Sequence, residues 1–279
     1  MVCLIMLPTV NSALRRNESL TALMDAYSYI DEPRNGLTNM AIDDAMLDFA
    51  GERRAVVLRL YQWSEPTLSL GYFQRISDRD SHLPSRDLQM VRRATGGGAI
   101  VHHHDLTYSL AVPQSSSSVG AAPTIYEAVH AAMVEWLEEL GLAARQWRET
   151  YNLQTASVHT AANSKAEFLC FHRRSEGDVI VGDHKVMGSA QRRSRGALLQ
   201  HGSLLVAKSI HAPSLWGLQD LLLRESRFSA EEVRLRIQRG IDALLGVRVQ
   251  CSENMAQQLN TLATVKLARF AAPEWRCRA

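Results

Sequence analysis

The chain has 279 residues, 46% of them hydrophobic and 22% charged, with a formal net charge of +2. That length holds one large domain, or one domain with a small appendage, and a charge so near neutral argues against nucleic acid or an anionic membrane surface as partner. The longest apolar run, residues 2–10, is broken by Pro8, too short to span a bilayer and without the basic flank of a signal peptide. Cys3, Cys170, Cys251 and Cys277 show no CxxC spacing, so neither a zinc site nor a disulfide framework is suggested. The expected compartment is a reducing cytoplasm, and no metal is expected.

The first stretch shows no clean periodicity. Residues 1–23 read as a loose, dispensable tail, or as a translated leader before a start near Met24, and residues 24–279 as one domain. Structure is expected from about Leu37, where Thr38 or Asn39 can cap a helix with Met40, Ala41, Ala45 and Phe49 on one face. Val56, Leu58 and Leu60 alternate with Val57, Arg59 and Tyr61, a strand pattern. Further strands are predicted around Leu68 and Leu70, ended by Gly71, and over 90–93. Gly96, Gly97 and Gly98 interrupt, and the pattern resumes over 99–102 and 106–112. Pro113 and the serines of 115–118 predict a loop.

A helix follows, with Pro123 in its first turn, the stripe Tyr126, Val129, Met133, Leu137 and Leu140, and Gly141 beyond its end. Residues 151–165 are polar and irregular, a predicted loop. Residues 178–181 and 184–187 flank Gly182-Asp183, the signal of a two-residue hairpin with a type II′ turn. A strand is predicted over 197–206. Pro213 then opens a helix, Ser229 and Glu232 form the capping box of another that Gly246 ends, and a last helix runs through Leu259 and Leu262 towards Phe270. Antiparallel hairpins with helices before, between and after them predict an α+β fold.

Three segments carry the candidate chemistry. Arg92 to His102 reads RRATGGGAIVH. Three successive glycines after a strand leave backbone N–H groups unshielded, able to wrap an anion or lie against an extended chain, unless they only make a tight turn. Gly182 to Arg193 reads GDHKVMGSAQRR. If Lys185 points inward it needs a polar partner, since an unpaired buried ammonium is too costly, and over an apolar groove it can meet developing negative charge. His201 to Leu205 reads HGSLL, a strand with a glycine where something approaches closely. His102, His103 and His104 with Asp105 do not make a metal site, because adjacent strand residues face opposite ways.

In this order and spacing the three segments, with NMAIDDAML from Asn39 to Leu47 and LTYSL from Leu106 to Leu110, resemble the family of lipoate–protein ligases, octanoyltransferases and biotin ligases. The resemblance runs roughly from Tyr27 to Arg278. It implies a mixed, largely antiparallel sheet packed by helices, similar to the catalytic domain of biotin ligase and class II synthetases. It also implies an acyl tunnel beside the glycine turn, with Lys185 at the acyl carbonyl and Arg93, Gly96, Gly97 and Gly98 at the mouth. His102, Gly188, Ser189, His201 and Gly202 fall on the family's substrate-binding motifs.

Two chemistries compete within this resemblance. A ligase activates lipoate with ATP and Mg. A transferase takes octanoate from acyl carrier protein through a cysteine thioester and needs no cofactor. Cys170, fifteen residues before Lys185, matches the nucleophile's place in one class of octanoyltransferase, the class with a GSAQ segment. The alternative for a cysteine among aromatics is an inert core residue. As nucleophile it would draw on Lys185, His172, Arg173 or Arg174 as a nearby cation. Gly98, and the His-Arg-Arg-Ser run after Cys170, depart from that class. The stretch after Ala207 is too short for the large accessory domain of many bacterial ligases. The resemblance thus implies transfer of octanoate to the lysine of a lipoyl domain or the glycine cleavage H protein. The first alternative is the ATP-dependent lipoate ligase, and the second a non-catalytic acyl- or carrier-binding protein.

Overall fold

The structure is a computed structural model that describes residues 24–114, 121–148, 167–222 and 228–278. The strands are β1 (Ala26–Ile30), β2 (Val56–Tyr61), β3 (Thr67–Leu70), β4 (Gln89–Arg92), β5 (Ile100–His102), β6 (Asp105–Pro113), β7 (Ala144–Gln146), β8 (Val179–Val181), β9 (His184–Ser194), β10 (Ala197–Leu205) and β11 (Gln250–Cys251). The α-helices are α1 (Gly36–Arg53), α2 (Ala121–Glu139), α3 (Leu218–Leu221), α4 (Ala230–Leu245), α5 (Glu253–Thr264), α6 (Leu267–Ala271) and α7 (Pro273–Arg276).

Eight strands form one sheet in the order β11-β1-β2-β6-β10-β9-β8-β7, and β4-β3-β5 form a second. β1 runs parallel to β2 and β11, while the pairs from β2 through to β7 are antiparallel. The expected α+β fold with a mixed, largely antiparallel sheet is what the chain adopts. Every residue of β6 and β10 is buried, because both faces of the sheet are covered. On one face Val129, Met133 and Leu137 of α2 and Ile237 and Ile241 of α4 pack on Leu58, Tyr108, Leu110 and Leu204. On the other, Ala41 and Ala45 of α1 and Leu259 of α5 pack on Val57, Ala111 and Leu199. Each buried Val, Leu, Ile or Met among these contributes about 1.5–3 kcal/mol by leaving water.

The helix ends follow local chemistry. Ser229 and Glu232 make the reciprocal cap of α4, and Gly246 ends it at φ 64°. Gly141 closes α2 at φ 84°, with Leu142 N–H returning to Leu137 O. Gly182 turns the β8–β9 hairpin at φ 56°, and Asp183 is not left-handed, as the II′ turn requires.

Four expectations are corrected. Structure begins before Leu37, at β1, whose parallel partners leave no hairpin signal in the sequence. The cap of α1 is Asn35, which accepts from Thr38 N–H, and not Thr38 or Asn39. Asn39 is instead buried, donating to Arg34 O and Gln62 O and accepting from Arg59. Pro213 lies in a turn, and the next helix opens four residues on behind Gly217. The terminal helix is three short ones, divided at Lys266 and at Ala272, which Pro273 forces into an extended conformation. The readings of residues 1–23, 115–118 and 151–165 fall outside the described residues.

Candidate functional site

The glycine turn after β4, the one-turn 3-10 segment Cys170–His172 and the β8–β9–β10 sheet meet around a chamber. Arg93, Gly96, Gly97, His102, Cys170, Lys185, Gly188, Ser189, His201 and Gly202 line it, with Met40, Tyr61, Trp63 and Ile100 as apolar wall. Gly98 is the one predicted site residue that does not line it. Gly98 stands behind Cys170, where a Cβ would come within 2.9 Å of the Cys170 N and Cα. The absent side chain lets the two segments join: Cys170 N–H donates to Ala99 O, and Ala99 N–H to Phe168 O, at 2.8 and 2.9 Å. The half-buried Cys170 side chain is thereby fixed against the glycine turn.

Lys185 reaches the chamber because β9 carries a bulge. Ile180 pairs with Lys185 but Val179 pairs with Met187, so Val186 is the extra residue and the alternation of faces shifts at that point. The ammonium folds back over Gly188, where a Cβ would lie 2.5 Å from the Lys185 Cε. Its Nζ is 2.7 Å from Asp178 Oδ2, donates to Arg173 O at 3.2 Å, and stands 4.0 Å from Cys170 Sγ. Asp178 is buried and also accepts from Tyr126 Oη–H and Ser175 N–H. Hydrogen bonding to Asp178 adds to burial in keeping the Tyr126 phenol protonated.

Arg93 is fully buried. It donates to Ser69 O and Oγ, each at 2.7 Å, and to Gly96 O and Gly98 O, which sets the shape of the glycine turn. Burial pushes its guanidinium down to about 10. His102 stacks on Trp63 with 3.8 Å between ring centres and bonds to Asp105 through Nδ1. Burial works against the Asp105 charge, but His102, Ser203 and Thr107 outweigh it and hold the carboxyl below its ordinary value. His103 and His104 stack on each other away from this pair.

His201 lies between Thr95 and Asp43, and burial keeps it neutral against the pull of Asp43. Ser189, Gly202 and Tyr108 form one row across β9, β10 and β6. With no Cβ at Gly202, the Ser189 and Tyr108 hydroxyls meet over it at 2.7 Å. Ser189 also bonds His130 Nε2. The Gly177 carbonyl can only accept, so the His130 proton sits on Nδ1 and Ser189 donates to Nε2. Burial, with the Lys185 charge nearby, holds His130 down to about 3 against the Gly177 bond. Asp178, Tyr126, Tyr108 and His130 are the site residues that sequence reasoning missed.

Chemically, the chamber offers a thiol, an ammonium beside it and an apolar wall: a place for an acyl group whose carbonyl meets sulfur on one side and N–H donors on the other. A family model described as the lipoyl protein ligase A/B catalytic domain matches residues 35–227. Octanoyltransferase LipM of Kyrpidia tusciae is 34% identical over 266 residues, covering 86% of this chain and 94% of that protein. That of Brevibacillus brevis is 32% identical over 282 residues, covering 91% and 100%. Among solved structures, lipoate-protein ligase A bound with ATP superposes at a TM-score of 0.63 and 20% identity, covering 91% of this chain and 99% of that one. A bi-partite lipoate protein ligase of Thermoplasma acidophilum, studied with its E2 lipoyl domain, gives 0.61 and 21%, covering 91% and 96%. The structural likenesses show the shared fold.

Proposed function

Since the chain belongs to the lipoyl protein ligase A/B catalytic domain family, we propose that it transfers an octanoyl group from acyl carrier protein, by way of Cys170, to the lysine of a lipoyl domain or the glycine cleavage H protein. The protein is an acyltransferase of protein lipoylation, an octanoyltransferase. The observation that carries the role of Cys170 is its sulfur lining the chamber, 4.0 Å from Lys185 Nζ.

The Cys170 sulfur, as thiolate, attacks the donor thioester carbonyl. A C–S bond forms, the donor's C–S bond breaks, and the departing thiolate takes up a proton. The neutral amine of the acceptor lysine then attacks the new thioester. A C–N bond forms, the bond to Cys170 breaks, and the amine gives up one proton. Lys185 faces the oxyanion of both tetrahedral intermediates. The acyl group stays activated as a thioester throughout, so neither ATP nor Mg enters.

Incubation with octanoyl–acyl carrier protein and a lipoyl domain, without ATP, is expected to yield octanoylated domain by mass spectrometry. Product formed only from free acid with ATP and Mg would make the protein a ligase. Gly98→Ala is expected to fold and yet to slow octanoylation of Cys170 by about 10²-fold, because the new methyl group must displace the backbone that carries the sulfur. Adduct formation followed by intact mass checks this, and an unchanged rate would show that the tether does not set the sulfur's position.

A further inference from the structure

A thiolate in a buried chamber needs a positive charge that no other anion already claims. Lys185 is nearest, but its charge is taken: Nζ lies 2.7 Å from Asp178 Oδ2, with side-chain exposures of 3% and 1%. Together the two carry no net charge. Among the described residues, the other cations near Cys170 are turned away or engaged. Arg173 folds onto Glu167 O. Arg174 stacks on Trp147 and donates to Asp183 O. His172 bonds Ser214 and faces Glu167. His82 packs on the Phe168 ring and is held neutral by burial.

Arg93 differs from these in its burial, since Arg173 and Arg174, which also donate to carbonyls, are exposed. It is 1% exposed, and its acceptors are carbonyls and one hydroxyl. Among the described residues it has no carboxylate partner, and its Nε–H has no partner at all. Both it and the sulfur approach Gly97, which has no side chain. The empty point where a Cβ would stand is 3.5 Å from Arg93 Nη2 and 3.9 Å from Cys170 Sγ. Guanidinium and sulfur thus both border the space left by the missing Gly97 side chain.

We propose that Arg93, and not Lys185, carries the positive charge that holds the Cys170 sulfur as a thiolate, while Lys185, neutralised by Asp178, acts as a hydrogen-bond donor to the acyl oxygen. The proposal rests on reading Cys170 as the nucleophile. It makes Arg93 a positioning residue for charge, acting when the sulfur is free and again when the acyl group leaves it.

The test is the pH dependence of Cys170 alkylation by iodoacetamide in the full chain, read on the Cys170 peptide by mass spectrometry. Arg93→Gln is expected to raise the pH of half-maximal rate by about one unit or more, a shift that loss of packing alone does not produce. Arg93→Lys should restore most of the original midpoint. The double variant Lys185→Met/Asp178→Asn, which removes the neutral pair together, should leave the midpoint within about 0.3 unit. A midpoint that stays in Arg93→Gln, or rises by about a unit in the double variant, overturns the proposal. The second arm decides the matter even if Arg93→Gln does not fold. Octanoyl–acyl carrier protein is tested in parallel on the unsubstituted protein. Failure to acylate Cys170 there defeats the nucleophile reading, while the alkylation midpoints still decide which cation faces the sulfur.

Discussion

Cys170→Ala is expected to reduce octanoyl transfer by about 10³-fold or more and to leave the fold intact. Removing an activated nucleophile takes away the covalent route as a whole. Intact-mass spectrometry after mixing the unsubstituted protein with octanoyl–acyl carrier protein should show one octanoyl group, removable by hydroxylamine. The Cys170→Ala protein should show none. Cys251, exposed on the edge strand β11, and Cys277, exposed near the end of the chain, are outside the chamber. Cys251→Ala should therefore keep both adduct and turnover. The half-buried Cys170 side chain contributes little apolar burial, so thermal stability should change slightly. Full transfer by Cys170→Ala would defeat the thioester route and favour the ATP-dependent ligase.

Lys185→Ala is expected to cost both activity and stability, for separate reasons. Loss of one oxyanion donor slows acyl transfer by about 10²–10³-fold. Loss of one partner from a buried ion pair leaves Asp178 unneutralised and costs about 3–5 kcal/mol. The double variant Lys185→Met/Asp178→Asn separates the two effects. Chemical denaturation should show most of the stability regained, because no lone charge is left inside, and the assay should show transfer still slow. Recovery of transfer in the double variant would mean that Lys185 does no more than neutralise Asp178.

The parts of the fold that follow local rules were legible. The capping box at Ser229, the glycine that ends α2 and the hairpin at Gly182 each depend on a few adjacent residues, and each is where the sequence puts it. β1 was not legible, because a strand between parallel neighbours announces itself through partners far along the chain. The same holds within the site. Strict alternation would put Lys185 on the face of Met187 and Ser189, and the bulge at Val186 reverses this. It also brings Asp178 next to Gly188, so no regular register would have matched Asp178 with Lys185. His130 looks like one more residue of a helix until Ser189 and Gly177 close around it. The eleven site residues named from the motifs do gather at one place. What the motifs left open was which of them share a surface and which stand behind it, as Gly98 does.

The tether between Ala99 and Cys170 bears on how such a protein can change over generations. Two stretches distant in the chain are stitched through reciprocal main-chain bonds, and the stitch requires a residue with no side chain at Gly98. Variation in either stretch is then filtered through the other. A bulkier residue at 98 survives only alongside a compensating shift in the segment around Cys170. The two stretches should be inherited as a matched pair, and a chimera that joins the glycine turn of one relative to the cysteine segment of another should work poorly even where each half is sound in its own parent.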